Sequence, residues 1–263
     1  MYRNIKLTIE YEGTYYCGWQ TQTARNNPKK QTHREGRKTI QGEIEKALKI
    51  IFKQNLKLIG SGRTDSGVHA LGQVANFKTQ SSMPVEEMLN ALNANLPADI
   101  AITNVENAAP DFHAQYSVKS KTYRYIILNN TARCALQRNF CLFYPYKLSI
   151  QKMREEVKSL IGRKDFKSFT ASDPAKRKAN KKENTVRTVK RLVISKRGPY
   201  VFIDIEADGF LYKMVRNIVG TLLEIGQGRL AKGSIKKILA LKDRNAAGNT
   251  VKSKGLTLFS VRY

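Results

Sequence analysis

Residues 60–77 read GSGRTDSGVHALGQVANF: Gly60, Gly62 and Gly67 frame an Arg-Thr-Asp core, and an apolar run follows. Glycine and aspartate are turn-forming residue types, and an aspartate side chain can bond the backbone two residues on. The stretch reads as a tight bend that feeds a strand. Asp65 then has two readings. It is a turn former, or it is a carboxylate held outward on a stiff bend, where it can act as base or nucleophile. The residues alone leave both open.

Upstream of the bend, IKLTIEY (5–11) alternates apolar and polar residues and predicts a half-buried strand. EGTYYCGWQTQ (12–22) brings glycines and aromatics and predicts a loop. TIQGEIEKALKIIF (39–52) places Ile40, Ile44, Leu48 and Ile51 at helical spacing, with Thr39 as the cap. Pro84 opens a second helix over VEEMLNALNANL (85–96), which stops before Pro97. A new unit begins near residue 108. There KTYRYIIL (121–128) predicts a strand with Tyr123, Tyr125 and Ile127 on one face. SIQKMREEVKSLIG (149–162) predicts an amphipathic helix from Ser149 to Gly162. YVFIDIEADGF (200–210) reads as a strand, KMVRNIVGTLLEIGQG (213–228) as a helix and GLTLFSVRY (255–263) as a closing strand. Strands and helices mix in each half, and hairpin-style neighbours oppose a purely parallel sheet. The fold class is α+β: two α/β domains, 1–107 and 108–263, with mainly antiparallel sheets.

Charge restricts the partners. The 263 residues carry 47 Lys+Arg against 21 Asp+Glu, a net +26, which attracts polyanions. Two runs concentrate it: six Lys/Arg in 23–38 and eight in 174–191, each with a single glutamate. No apolar run approaches the roughly 18 residues that span a bilayer, and the first residues alternate like a strand rather than a signal-peptide core. Nucleic acid is therefore expected over membrane. Cys17, Cys134 and Cys141 form an odd set without zinc spacing, which predicts free thiols in a reducing cytoplasm.

Several chemistries fail on spacing. A P-loop needs Gly-Lys-Ser/Thr, but Gly67 leads to Val68 and His69; the dinucleotide pattern fails because Asp65 stands where its third glycine belongs. His33, His69 and His113 are dispersed and form no helical i, i+4 pair, so no metal site is expected. Arg216 in KMVRNIVG reads as the wet face of its helix, with Met214, Ile218, Leu222 and Ile225 as the buried stripe.

Nine blocks, in order, resemble the TruA-type tRNA pseudouridine synthases. They are YEGTYYCGWQ, TIQGEIEKAL, the 60–77 stretch, ALNANLPADI, FHAQYSVKSKTYRY, DFKSFT, TVRTV, DGFLYKMVRNIVGTLLEIGQGR and GLTLFSVRY. The resemblance implies isomerisation of uridine to pseudouridine in tRNA, in the anticodon stem-loop at about positions 38 to 40, where the base must be extruded from a duplex. It implies no cofactor and no metal, RNA-recognition or ferredoxin-like halves around a basic cleft, and a homodimer. It places the catalytic role on Asp65, base stacking on Tyr123, and pairing with the aspartate on Arg216. It places substrate contacts on Arg63, Thr64, His69, Lys121, Arg124 and Lys213, with Arg63 helping to displace the target base.

Two stretches depart from the family pattern. The basic stretch 23–38 is longer than the usual link, and TVKS (250–253) replaces the usual Thr-Ala-Pro-Ala, which bears on one wall of the pocket. The rival readings are a synthase acting on another RNA and a non-catalytic RNA-binding protein.

Replacing Lys176, Lys178, Lys181 and Lys182 with glutamine should weaken tRNA binding. It should also flatten the salt dependence by about 0.7–0.9 log units for each phosphate that is no longer neutralised. An unchanged slope in filter-binding titrations would show that this run does not touch RNA.

Overall fold

The computed structural model describes residues 2–21, 38–171 and 184–263, so most of the basic runs 23–38 and 174–191 lies outside the described residues. The chain divides into two compact units, residues 1–119 with 258–263, and residues 120–257.

In the first unit β1 (Arg3–Tyr11) precedes α1 (Ile40–Phe52), β2 (Ile59–Gly60), β3 (His69–Thr79), α2 (Val85–Ala94) and β4 (Ile100–Ala108). β1 lies between β3 and β4, antiparallel to both, with Leu7 opposite Ala75 on one side and Val105 on the other. Its period-2 pattern buries Ile5, Leu7 and Ile9 completely. The Thr39 hydroxyl accepts from Gly42 N–H at 3.2 Å and starts α1 as expected. Ile40, Ile44, Ala47 and Leu48 form the buried face of α1, while Ile51 is only half-buried. α2 buries Met88 and Leu92 and packs on β4.

The second unit holds β5 (Ser120–Leu128), β6 (Leu142–Phe143), α3 (Ile150–Val157), β7 (Gly162–Asp165), β8 (Val186–Arg197), β9 (Tyr200–Ala207), α4 (Met214–Gly226) and α5 (Ser234–Leu241). Its strand order is β5-β9-β8-β7, every neighbour antiparallel, with β6 alone joining β5 in parallel. The last strand, β10 (Leu256–Arg262), leaves this unit and, from Leu258 on, lies beside β3 in the first. The architecture is α+β with mainly antiparallel strands.

The first compact unit runs through Lys119, past the 107/108 boundary expected from the sequence, because residues 109–119 are bonded into it. Asn4 Nδ2 donates to the carbonyls of Ala109 and Phe112, Asn76 Oδ1 accepts from Ala114 N–H, and Lys119 N–H donates to Arg262. Residues 186–191 of the second basic run belong to β8, whose irregular register between Val189 and Arg191 hides the alternation of Val189, Leu192 and Ile194. The helix opened by Ser149 ends at Val157, followed by a 3₁₀ turn, and Gly162 (φ 95°) opens β7. In α4 the four residues expected in the buried stripe are buried, and burial extends beyond them: of its thirteen residues all but Arg216 and Glu224 are buried.

Candidate functional site

The bend that carries Asp65 is clamped from two sides. On one, Ser61 N–H donates to the Val74 carbonyl at 2.7 Å, and the fully buried Gln73 fixes the next residues. Its Oε1 accepts from Ser61 Oγ at 2.6 Å, and its Nε2 donates to the Gly62 carbonyl at 3.0 Å. On the other, the loop after β1 lies directly against the bend. Trp19 N–H donates to the Thr64 carbonyl at 3.2 Å, Tyr11 Oη and Thr64 Oγ1 share a hydrogen bond of 2.9 Å, and Ser66 Oγ donates to the Tyr16 carbonyl at 2.9 Å. Val68 N–H closes the turn on the Asp65 carbonyl at 3.2 Å, with Gly67 at φ 75°.

This approach excludes side chains. A Cβ on Gly13 would stand 2.0 Å from the Val68 carbonyl oxygen; one on Gly18, at φ 90°, would stand 2.4 Å from that of Thr64. A Cβ on Gly60 would meet the Trp19 indole at 2.5 Å. Asp65 itself is half-buried and Arg63 exposed. Thr64 and His69, expected as substrate contacts, are both buried in this scaffold. His69 Nδ1 accepts from Gly13 N–H at 3.1 Å, so that nitrogen carries no proton. Burial pushes the Tyr11 phenol well above its ordinary range, so it stays protonated beside Thr64.

In the second unit Tyr123 sits on β5, buried, with Phe210 edge-on at 5.0 Å between centroids. Lys121 is two residues away on the same strand face, and desolvation lowers its ammonium to about 8. Arg124 projects to the opposite face. There Asp204 accepts from its Nε at 2.7 Å and Nη2 at 2.8 Å, so the structure does not bring Arg124 to the side of Tyr123. Lys213 caps α4 in the left-handed region (φ 59°), its Nζ 5.1 Å from the Tyr212 ring. Arg216, three residues on, donates from Nε to the Val251 carbonyl at 2.8 Å. Asp65, Arg63, Thr64 and His69 therefore belong to the first unit, and Lys121, Tyr123, Arg124, Lys213 and Arg216 to the second.

A family model described as tRNA pseudouridine synthase matches residues 7–117 and 157–263. Proteins called tRNA pseudouridine synthase A are 45% identical in Caldicellulosiruptor bescii and 42% in Thermoanaerobacter pseudethanolicus, each over 99% of this chain and 100% of the relative. One called tRNA pseudouridine synthase A 2, from Clostridium perfringens, is 44% identical with the same coverage. The chain belongs to the tRNA pseudouridine synthase family.

Within this synthase, Asp65 and Arg216 fall in the two matched segments and Tyr123 lies between them. The supports missed by sequence reasoning are Gly13, Gly18 and Gln73 around the bend, and Val251 beside Arg216. A signal was present for the glycines, two of them within EGTYYCGW. None was present for Val251, which acts through its carbonyl. That mode of action also accounts for the TVKS departure. Arg216 is held by the Val251 backbone, and Tyr125 Oη donates to the Lys252 carbonyl at 2.7 Å, so neither hold depends on the side chain at 251 or 252.

Gly18→Ala should displace the Asp65 bend and cut pseudouridine formation more than it cuts tRNA affinity, read by single-turnover assay beside a binding titration. Retained wild-type turnover would show that the clamp does not set the carboxylate. Lys121 gives a pH signature. The native state releases its proton near pH 8, and the unfolded chain holds it to about 10.5. Across that interval the unfolded chain binds more protons, so stability from this group rises with pH and is lowest below pH 8. Denaturant titrations of Lys121→Met should lack this rise relative to wild type.

Proposed function

We propose that this synthase converts uridine to pseudouridine in tRNA, with Asp65 as the catalytic carboxylate. The observation that supports this most strongly is the clamp. A half-buried aspartate is held on a bend whose neighbours are bonded through their main chain, inside a segment matched by the family model. A turn former needs no such bracing.

The reaction breaks the bond from uracil N1 to ribose C1′, turns the base and joins C5 to C1′. N1 gains a proton and C5 loses one. Substrate and product are isomers, so no electrons enter or leave. A carboxylate suits this work because it can attack carbon or remove a proton and later depart. The target base must leave its stack to meet it. Exposed Arg63, two residues before Asp65, is placed to help displace that base. Tyr123 stacks on the uracil and Arg216 pairs with the catalytic carboxylate in the roles that the family resemblance gives them. Lys121, on the same strand face as Tyr123, contributes charge that fades as pH rises through about 8. The basic excess supplies phosphate contacts that position RNA without reading its sequence. The resemblance further supports the 3′ side of the anticodon arm as target, and a cytoplasmic homodimer as the working form.

Asp65→Asn should abolish pseudouridine while leaving tRNA affinity nearly intact, measured by chemical mapping of an unmodified transcript and by a binding titration. Substantial turnover by that variant would refute the catalytic assignment. Binding without modification by the wild type would favour an RNA-binding protein that has lost the reaction.

A further inference from the structure

Asn217 follows Arg216 on α4 and is fully buried. A buried amide costs stability unless its donors and acceptors are matched, and an apolar residue of similar volume would avoid that cost. Here Nδ2 donates to the Phe169 carbonyl at 2.7 Å, and Oδ1 accepts from Thr250 Oγ1 at 2.6 Å and from Arg244 Nη2 at 3.0 Å. Arg244 Nη2 also donates to Thr250 Oγ1 at 3.0 Å, and Nη1 to the Ala247 carbonyl at 3.1 Å. All but the Phe169 bond converge on residues 244–250.

The same segment is laid along α4 by its main chain. Gly248 N–H donates to Thr221 Oγ1 at 2.9 Å and Asn249 N–H to Glu224 Oε1 at 3.0 Å. A Cβ on Gly220 would stand 1.8 Å from the Asn249 carbonyl oxygen. The segment returns to the start of the helix through Val251, whose carbonyl accepts from Arg216 Nε at 2.8 Å. Thr250, gripped by Asn217, is the residue immediately before that carbonyl.

We infer that Asn217 is a positioning residue for Arg216, acting through Thr250 and the Val251 carbonyl. With Nε committed to a fixed acceptor, the plane of the guanidinium is set and its two terminal nitrogens are aimed together, as bidentate recognition of an anion requires. This deepens the proposed function and rests on the role given there to Arg216.

The test is single-turnover kinetics on an unmodified tRNA transcript, with tRNA affinity measured in parallel. Asn217→Ala should slow turnover by about 100-fold, the scale of a misplacement near 1 Å, with affinity little changed. Thr250→Val, a milder change that decides the matter if Asn217→Ala fails to fold, should slow turnover in the same direction. Asn217→Ala added to Arg216→Lys should slow the reaction no further than Arg216→Lys alone, and the Arg216 Nε–H resonance should move in Thr250→Val. Additive losses, or a Thr250→Val protein with wild-type turnover and an unmoved resonance, would overturn the inference. If Arg216→Lys leaves turnover unchanged, the catalytic reading of Arg216 falls, and the Nε–H resonance alone decides the positioning.

Discussion

The first unit depends on a contact between two stretches of main chain at a separation that no side chain permits. Gly13 and Gly18 allow the loop after β1 to touch the carbonyls of Val68 and Thr64. The Trp19 amide then bonds the Thr64 carbonyl, and the Gly13 amide bonds the His69 imidazole. Side-chain packing leaves rotamer freedom, whereas bonded main chain does not. The bend is thus held by its neighbours at 61, 62, 64, 66 and 69. A preorganised group is worth more to a reaction than one that must be ordered at the moment of use. Gln73 completes the arrangement from the β3 side, with its amide folded against its own strand.

The second unit reaches the same end by a different route. Residues 247–251 are laid against α4 where Gly220 and Gly248 leave room, and the main chain at 251 and 252 receives Arg216 and Tyr125. Carbonyl oxygens are present whatever the side chain, which is why a chain carrying Val251 and Lys252 makes the same holds that another sequence could make there. What the segment does need by type is Thr250, whose hydroxyl meets Asn217 and Arg244.

These two arrangements explain what was legible in the sequence. Periodic features were readable because they are local: the alternation of β1 and β5, the Thr39 and Ser149 caps, and Pro84 before α2 each depend on residues a few positions apart. The bend at 60–67 was readable for the same reason. What could not be read depends on partners far along the chain. Residues 109–119 look like the start of a second unit until Asn4, Asn76 and Arg262 are seen to bind them. The register shift between Val189 and Arg191 interrupts the period-2 alternation of β8, the signal by which β1 and β5 were read. α4 reads as amphipathic from its charged residues, yet eleven of its thirteen residues are buried, so the exposure that Arg216 keeps is unusual for its helix.

Strand parity sorts the basic residues of β5 in a way that composition cannot. Lys121 and Arg124 both stand beside Tyr123 in sequence and both belong to a strongly cationic chain. Arg124 lies on the other face, held by two bonds to Asp204 and stacked 5.6 Å from the Phe202 ring, so much of its charge is already answered within the strand pair. Lys121 shares the face of Tyr123, and its desolvation makes the ammonium easier to discharge than any solvated lysine. A group that changes charge near pH 8 interacts differently with a phosphate and with a neutral base as pH moves, whereas a paired arginine does not change at all. Net charge therefore explains attraction to a polyanion, but the alternation of β5 decides which of its cations stands beside Tyr123.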